Sequence, residues 1–391
     1  MRDFLSNRVK EIKPSGIRKF FDLAQGQRDV ISLGVGEPDF ITPWSIRDAG
    51  LNALKKGYTQ YTSNNGLEQL RKAISNYLKN RFSVDFSADQ TIITVGASEG
   101  IDLSLRAIIN PGDEILIPDP SYVSYKPCVE LCGGTPVAIA SGSQNGFKIT
   151  SEQLEKVITP KTKALIFPYP NNPTGGIMEK EYIENIIPVI IKHDLLVISD
   201  EIYAELTYGQ NHVSIASFSE LKDRVVLING FSKAFAMTGW RIGFVCAPEE
   251  ITRAMLKIHQ YTAICAPIFS QYAALEGLNQ CEKDDYFVVN EMREEYDRRR
   301  KFMVNSFNQM GLKCFEPKGA FYVFPSVEST KMTGEEFATE LLKTKKVAVV
   351  PGSAFGDFGK YFVRCSYAYS MKNLIQAIEK IKEFVGEINA R

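Results

Sequence analysis

The stretch between residues 91 and 248 alternates between short apolar runs and segments with apolar residues at helical spacing. Five runs are rich in β-branched residues and bounded by Gly, Pro or Asp, which predicts buried strands at residues 91–95, 114–118, 163–167, 195–199 and 225–229. Helices are predicted between them, at residues 98–109, 121–131 and 179–192. Strand–helix alternation of this length is typical of sheets covered on both faces, so we expect an α/β fold with a mostly parallel sheet.

The pattern changes beyond residue 267, where one long helix and several short strands are predicted. The long helix covers residues 284–310, and a closing helix covers residues 371–385. The strands are predicted at residues 312–315, 321–324, 347–350 and 362–365. We therefore predict an N-terminal arm that joins the smaller domain or reaches a partner subunit (1–40), a large domain (41–280) and a smaller α+β domain (281–391).

Composition and charge exclude several classes of protein. The chain has 391 residues, 44% hydrophobic and 24% charged, a balance typical of globular enzymes with two or three structural units. Its 46 Lys and Arg equal its 46 Asp and Glu, so no overall positive field attracts nucleic acid or an anionic membrane. No apolar run reaches the roughly 18 residues of a membrane span, and the N-terminus is too charged for a signal peptide. We therefore expect a cytoplasmic protein without nucleic-acid or membrane partners.

Cysteine and histidine usage argues against disulfides and metal sites. The seven cysteines contain no C-x-x-C pair, which favours free thiols in a reducing compartment. The three histidines are His193, His212 and His259, and no two of them have metal-ligand spacing. We therefore expect no metal site, and a Ser/His/Asp triad is disfavoured.

The segment of residues 230–241, GFSKAFAMTGWR, directly follows the predicted strand 225–229. This position puts the amine of Lys233 in a partly desolvated cleft at a strand end. Desolvation disfavours the ammonium form and exposes a nucleophilic lone pair, as a Schiff-base lysine requires. Taken alone, Lys233 fits an ordinary exposed loop lysine better than a Schiff-base lysine.

Other polar groups follow the neighbouring predicted strands. Asp200 and Tyr203 come after strand 195–199, and the turn NNPTG begins at Asn171 after strand 163–167. Strand 91–95 opens into GASEG at a helix start, where free N–H groups and the helix dipole favour an anion. Ligands of parallel sheets bind at this carboxyl edge, so these groups are expected to meet there. Each motif alone also fits a plain turn or a helix cap.

In this order, each after a strand, the motifs resemble those of the class I (fold type I) pyridoxal-phosphate-dependent aminotransferases. The resemblance extends from SLGVGEPDF to FVRCSYA, and FSKAFAMTGWRIGF and NNPTG are its most specific parts. It looks closest to the bacterial and archaeal aspartate and aromatic aminotransferases. The resemblance implies a large domain with a mostly parallel seven-stranded sheet between helices, a smaller α+β domain, and pyridoxal 5′-phosphate as cofactor.

The resemblance also implies roles around the cofactor ring. Lys233 would bond covalently to the cofactor aldehyde and later carry a proton from the substrate Cα. Asp200 would pair with the pyridine nitrogen and keep it protonated. Asn172 and Tyr203 would hydrogen-bond the phenolic oxygen, and Tyr122 would stack on the ring. Lys233, Asp200 and Tyr203 are therefore the expected catalytic residues.

A second implied set binds the cofactor phosphate. Ala97 and Ser98 at the helix start would hold it together with Ser232 and Arg241, whose guanidinium can add a charge-assisted contact. Tyr61 matches the family tyrosine that reaches the phosphate of the neighbouring subunit. The resemblance therefore implies a homodimer with shared active sites.

Substrate binding is implied for the end of the predicted strand 362–365. Arg364 would present its planar fork to the α-carboxylate, completed by Gly36 and Asn172. Ser98 occupies a position where some aspartate-using relatives carry a lysine, while Lys10 and Lys13 offer positive charge elsewhere. The absence of that lysine argues against a strict preference for aspartate, so an aromatic or otherwise apolar amino donor stays open beside aspartate. The resemblance implies 2-oxoglutarate as acceptor in a ping-pong cycle.

Three other functions remain open at this stage. The same scaffold supports a carbon–sulfur β-lyase or another pyridoxal-phosphate enzyme. A cofactor-sensing regulator would need an added DNA-binding module, and the fold is expected to begin too near residue 1 to leave room for one. A nucleotide-binding protein would require the order of Asn172, Asp200, Lys233 and Arg241 to be a coincidence.

Overall fold

The computed structural model describes residues 2–14, 16 and 29–390. Predictions for residues 1, 15, 17–28 and 391 lie outside this range. The strands of the described residues are β1 (Ile31–Ser32), β2 (Thr91–Thr94), β3 (Glu114–Asp119), β4 (Thr135–Ala140), β5 (Thr162–Phe167), β6 (Leu196–Asp200), β7 (Val225–Gly230), β8 (Gly243–Cys246), β9 (Tyr322–Val323), β10 (Val347–Ala348), β11 (Val350–Pro351) and β12 (Val363–Ser366).

The helices of the described residues alternate with these strands. They are α1 (Asn7–Glu11), α2 (Trp44–Lys55), α3 (Glu68–Phe82), α4 (Ala97–Ile108), α5 (Tyr125–Cys132), α6 (Ser151–Val157), α7 (Lys180–Lys192), α8 (Glu249–Thr262), α9 (Ile268–Asp284), α10 (Phe287–Gln309), α11 (Gly334–Lys345) and α12 (Met371–Asn389). Capping explains some boundaries: Thr150 and Thr333 accept N–H bonds in the first turns of α6 and α11, which satisfies otherwise unpaired donors.

A seven-stranded sheet forms the centre of the large part, in the order β2-β8-β7-β6-β5-β3-β4. Neighbouring strands are parallel except for β8, which runs antiparallel to both β2 and β7. The α/β fold with a mostly parallel sheet is therefore confirmed. The five predicted strands all form, within one residue at each end. Strands β4 and β8 were not predicted, because β4 is a half-exposed edge strand containing Pro136 and β8 has only four residues.

Both faces of this sheet are buried, which is why its strands are continuously apolar. In β7, Val225 and Leu227 belong to one hydrophobic cluster, and Val226 and Ile228 belong to another on the opposite face. Complete burial of each such aliphatic side chain contributes about 1.5–3 kcal/mol. Packing on both faces therefore holds the ends of the parallel strands, and the polar residues after them, in fixed positions.

The C-terminal part has its own core and its own small sheets. Strands β11, β12 and β9 form an antiparallel sheet, and β1 pairs in parallel with β10. One hydrophobic cluster joins Leu33 to side chains between Met292 and Val385, so the segment after residue 29 packs with the C-terminal part. The domain limits 1–40, 41–280 and 281–391 stay a prediction.

Two predicted strands of this part need correction. The strand predicted at 312–315 is wrong: only an isolated bridge, Cys314 to Pro325, forms there. The chain that follows bonds to the large part instead, where the N–H groups of Lys318 and Gly319 donate to the carbonyl oxygen of Gly175. The strand predicted at 347–350 is divided into β10 and β11, which belong to different sheets. The predicted helices 284–310 and 371–385 correspond to α10 and α12.

Candidate active site

A cavity of about 550 Å³ opens at the carboxyl ends of β5, β6 and β7. Every predicted site residue except Tyr61 lines it. These residues are Gly36, Ala97, Ser98, Tyr122, Asn172, Asp200, Tyr203, Ser232, Lys233, Arg241 and Arg364. The cavity therefore lies at the strand ends where the sequence predicted it, and β12 adds Arg364 from the C-terminal part.

The amine of Lys233 lies in this cavity just beyond β7. Its Nζ donates a hydrogen bond to the carbonyl oxygen of Gly36 (2.8 Å) and lies 5.8 Å from the centre of the Tyr203 ring. Burial lowers the pKa of Lys233 to about 8. The Glu37 carboxylate acts in the opposite direction, and the guanidinium of Arg364 lowers the pKa as burial does. The free amine is therefore much more abundant near neutral pH than for an exposed lysine.

A buried carboxylate–phenol pair lies at the end of β6. The Tyr125 hydroxyl donates to Oδ2 of Asp200 (2.8 Å), and the Ile202 N–H donates to Oδ1 (3.2 Å). Burial raises the pKa of Asp200 to about 6, and these two hydrogen bonds act in the opposite direction. Tyr125 was missed by the sequence analysis, although it follows Tyr122 by three residues in PSYVSY and the two rings meet edge-on at 5.5 Å.

The start of α4 forms a cradle for an anion. Gly96 precedes the helix with φ +76°, and a Cβ there would lie 2.6 Å from Nη2 of Arg241. Glycine therefore lets this guanidinium approach the free N–H groups of Ala97 and Ser98. Arg241 is held by a hydrogen bond from Nη1 to the Thr238 carbonyl oxygen (2.9 Å). The Arg241 guanidinium, the helix dipole and the unpaired backbone N–H groups together favour the binding of a phosphate.

The opposite side of the cavity carries the guanidinium of Arg364. Its Nη1 donates to Oδ1 of Asn172 (2.8 Å) and its Nη2 donates to the carbonyl oxygen of Gly34 (2.5 Å). The guanidinium lies over the ring of Tyr322 at 4.5 Å, and within the described residues its buried Nε has no hydrogen-bond partner. A buried, oriented guanidinium with spare donors suits a carboxylate.

Tyr322 is a second residue that the sequence analysis missed. Its hydroxyl lies 2.8 Å from that of Tyr203, and a Cβ on Gly36 would lie 2.3 Å from it. A larger residue at position 36 would therefore have to displace the Tyr322 hydroxyl. The signal for Tyr322 was purely hydrophobic, because it lies in the predicted strand 321–324 without a neighbouring motif.

Three residues considered for binding lie outside the cavity. Tyr61 is 78% exposed, so its predicted contact with a neighbouring subunit stays a prediction. Lys10 forms an ion pair with Asp3, and Lys13 lines an adjacent groove. The positive charge that faces the cavity therefore comes from other residues.

The described residues were expected to hold neither a metal ion nor a membrane span. The described residues contain no cluster of three or more His, Cys, Asp or Glu side chains suited to a metal ion. No helix in the described part of the chain has the length and apolar character needed to cross a bilayer. The cytoplasmic location stays a prediction.

The donor set fits pyridoxal 5′-phosphate. A lysine with a lowered pKa suits its aldehyde, a buried carboxylate suits its pyridine nitrogen, and the cradle at Gly96 suits its phosphate. The three groups line the same cavity. Lys233, Asp200 and Arg241 are therefore suited to hold one molecule of the cofactor.

Comparisons with known proteins agree with this geometry. Residues 28–381 match the family described as aminotransferase class I and II. The chain is 45% identical to an aspartate aminotransferase of Pyrococcus abyssi and 43% identical to aromatic-amino-acid aminotransferase 2 of Thermococcus litoralis, each over 98% of both chains. The solved aspartate aminotransferase of Thermus thermophilus with maleate superposes with a TM-score of 0.93 at 36% identity, over 98% of this chain and 100% of that one.

The family match covers most of the sequence, and the structural match covers the large and the C-terminal parts together. The strand order, the cavity and its donor set are in accord with both. This chain therefore belongs to the class I and II aminotransferases, and it is a pyridoxal 5′-phosphate-dependent aminotransferase of fold type I.

Proposed function

We propose that the enzyme moves the amino group of L-aspartate or an aromatic L-amino acid to 2-oxoglutarate by a ping-pong cycle. One observation carries the proposal: the Lys233 amine, the Asp200 carboxylate and the Arg364 guanidinium line the same cavity. An amino acid held there by its carboxylate would present its Cα to the amine.

The reaction divides between cofactor and protein. Bound pyridoxal 5′-phosphate supplies an aldehyde that accepts amino groups and a ring that accepts the electron pair released at the substrate Cα. Lys233 would hold the cofactor through its aldehyde group, and its amine, once free, would take the Cα proton of the substrate as a general base. Its lowered pKa makes the neutral amine available for both steps.

The ring is oriented by four side chains. Asp200 would pair with the pyridine nitrogen and favour its protonated form, and the hydrogen bond from Tyr125 holds the carboxylate in place. Tyr203 and Asn172, which line the same cavity, would donate toward the phenolic oxygen, and Tyr122 would cover one face of the ring. Fixed dipoles and charges of this kind stabilise the charge that develops in the transition state.

The phosphate is bound by Ala97, Ser98, Ser232 and Arg241, and by Tyr61 of a second copy of the chain. The support for this last contact is that Tyr61 is 78% exposed and does not line its own cavity. The enzyme is therefore proposed to be a homodimer with shared active sites. Sedimentation that detects only monomers at micromolar concentration contradicts this arrangement.

Arg364 binds the α-carboxylate of the substrate, with Gly36 and Asn172 completing the site. Among the described residues, the cations of the cavity are Lys233, Arg241 and Arg364, and each already has a role. None remains for the second carboxylate of aspartate. Within one copy of the chain the charges thus favour the aromatic donor, and aspartate would need a cation from the second copy.

The half-reaction tests this function. Mixed with an amino acid and no oxo acid, the enzyme should convert fully to the aminated form of the cofactor, one oxo acid being released per site. Adding 2-oxoglutarate should restore the starting spectrum. Continuous release of pyruvate and ammonia from a cysteine-type substrate would instead identify a carbon–sulfur β-lyase and contradict the proposal.

The lowered pKa of Lys233 predicts how cofactor capture depends on pH. The neutral amine is the nucleophile, so the rate at which apoenzyme captures pyridoxal 5′-phosphate should rise about tenfold between pH 7 and pH 9. It should level off above pH 9, because a pKa of about 8 leaves little ammonium there. Stopped-flow absorbance measures the rate, with Lys233→Ala as the blank. A rate still rising steeply at pH 10 contradicts the lowered pKa.

Arg364→Lys should weaken substrate recognition without weakening cofactor binding. The lysine ammonium cannot make the two parallel hydrogen bonds of the planar guanidinium. Loss of one charge-assisted hydrogen bond should lower kcat/KM by about 10- to 150-fold. Steady-state kinetics and equilibrium dialysis of the cofactor measure the two effects. Arg253→Lys, on the exposed face of α8, is the matched control. An unchanged kcat/KM for Arg364→Lys would remove this residue from the substrate site.

A further inference from the structure

The side chains of Glu99 and His259 lie outside the cavity, next to the start of α4. Glu99 is the third residue of the helix, and the N–H of Val95 donates to its Oε2 (2.6 Å). Its Oε1 lies 2.8 Å from Nδ1 of His259 on α8. The Glu99 and His259 side chains are 13% and 0% exposed, and neither residue lines the cavity.

The bond to Val95 restrains the turn that forms the phosphate cradle. Val95 and Gly96 join β2 to α4, and the Thr94 hydroxyl donates to the Gly96 carbonyl oxygen from the other side (2.9 Å). A carboxylate from the first helical turn commonly satisfies the N–H groups before a helix. Here that hydrogen bond restrains the backbone immediately before the free N–H groups of Ala97 and Ser98.

His259 in turn holds the carboxylate. A carboxylate only accepts hydrogen bonds, so Nδ1 of His259 carries the proton that joins it to Glu99. The second ring nitrogen, Nε2, is buried and has no hydrogen-bond partner in the described part of the chain. Within the described residues, the His259 ring thus makes its polar contact with Glu99. The two residues are 160 positions apart in the sequence.

We propose that Glu99 and His259 form a positioning pair that sets the affinity of the enzyme for the phosphate group of its cofactor. Neither residue touches the cofactor; the pair acts through Val95 and the start of α4. The proposal rests on the proposed phosphate site at Ala97, Ser98, Ser232 and Arg241. It predicts an effect on ligands that carry a phosphate and none on ligands that lack it.

Binding of pyridoxal 5′-phosphate and of pyridoxal to the apoenzyme tests this directly. Glu99→Ala should weaken binding of the phosphorylated ligand about tenfold, the value of one hydrogen bond, and leave pyridoxal within twofold. Glu99→Gln should recover most of the loss, because its amide oxygen still accepts the Val95 N–H. Fluorescence titration gives both dissociation constants, and the melting temperature of each apoenzyme shows that the variant is folded.

Two histidine variants separate the hydrogen bond from simple packing. An asparagine amide can occupy the position of Nδ1, whereas a glutamine amide reaches the position of Nε2. His259→Asn should therefore keep the wild-type affinity within about threefold, and His259→Gln should lose about tenfold. The backbone bonds that the His259 carbonyl accepts from Ala263 and Ile264 are the same in both variants.

A surface pair of the same chemistry is the control. His193 and Glu155 join α7 to α6 with a 3.0 Å contact, remote from the cavity, so Glu155→Ala should change neither affinity. Glu99→Ala with wild-type affinity, or with equal losses for both ligands, overturns the positioning role. Equal losses in His259→Asn and His259→Gln also overturn it. Failure of the phosphate site itself is distinguishable, because wild-type enzyme would then bind both ligands equally.

Discussion

Replacing Lys233 by alanine should lower kcat by about 10⁴-fold or more. The side chain is the proposed nucleophile toward the cofactor and also the general base at the substrate Cα, so two catalytic contributions disappear together. No described side chain can substitute for it, since the other cations of the cavity are the guanidinium groups of Arg241 and Arg364. Single-turnover absorbance with saturating amino acid measures the effect.

Two controls accompany this variant. Lys192→Ala removes a surface lysine that pairs with Glu155 and should keep wild-type activity. A small primary amine in solution should restore part of the lost turnover in Lys233→Ala, because it replaces the missing base. Retention of more than about 1% of the wild-type kcat without added amine contradicts the role of Lys233.

Asp200→Asn should lower kcat by about 10²- to 10³-fold, the cost of removing one preorganised charged group. A neutral amide cannot hold the pyridine nitrogen in its protonated form, so the ring accepts electrons less readily. Presteady-state kinetics of the amino-acid half-reaction measure the chemical step. The cofactor should still be bound, because Lys233 and the phosphate cradle are intact.

Tyr125→Phe is a milder variant that tests the same carboxylate. Its hydroxyl donates to Asp200, so its removal takes away a bond that holds down the pKa of that carboxyl. The pKa rises further above its usual range, and the acid limb of the kcat profile should move to higher pH. An unchanged limb in Tyr125→Phe, or near-wild-type kcat in Asp200→Asn, contradicts the role of Asp200.

The sequence predicted the position of the site because its signals are local. Lys233, Asp200 and Asn172 each follow a buried apolar run, and parallel strands bring their carboxyl ends to one edge of the sheet. Once β5, β6 and β7 were recognised, the meeting of these residues followed from geometry alone. Arg364 came from the resemblance, since a strand of another sheet supplies it.

The contacts that hold the site in place could not be predicted, because they join residues with no common local pattern. Tyr125 meets Asp200 across 75 positions, and Glu99 meets His259 across 160. The antiparallel direction of β8 could not be predicted either. A four-residue apolar run does not show which way a strand runs relative to its neighbours. The spacing of apolar residues shows which side of a helix or strand is buried. It does not show which other element packs against that side.

The central claim is that Lys233 captures the cofactor aldehyde, and borohydride reduction tests it most directly. Purified enzyme loaded with pyridoxal 5′-phosphate is reduced and digested, and the peptides are sequenced by mass spectrometry. One pyridoxyl group per chain is expected, attached to the lysine of the peptide that contains GFSKAFAMTGW. A label on another lysine, or no label on enzyme that has bound the cofactor, would contradict it.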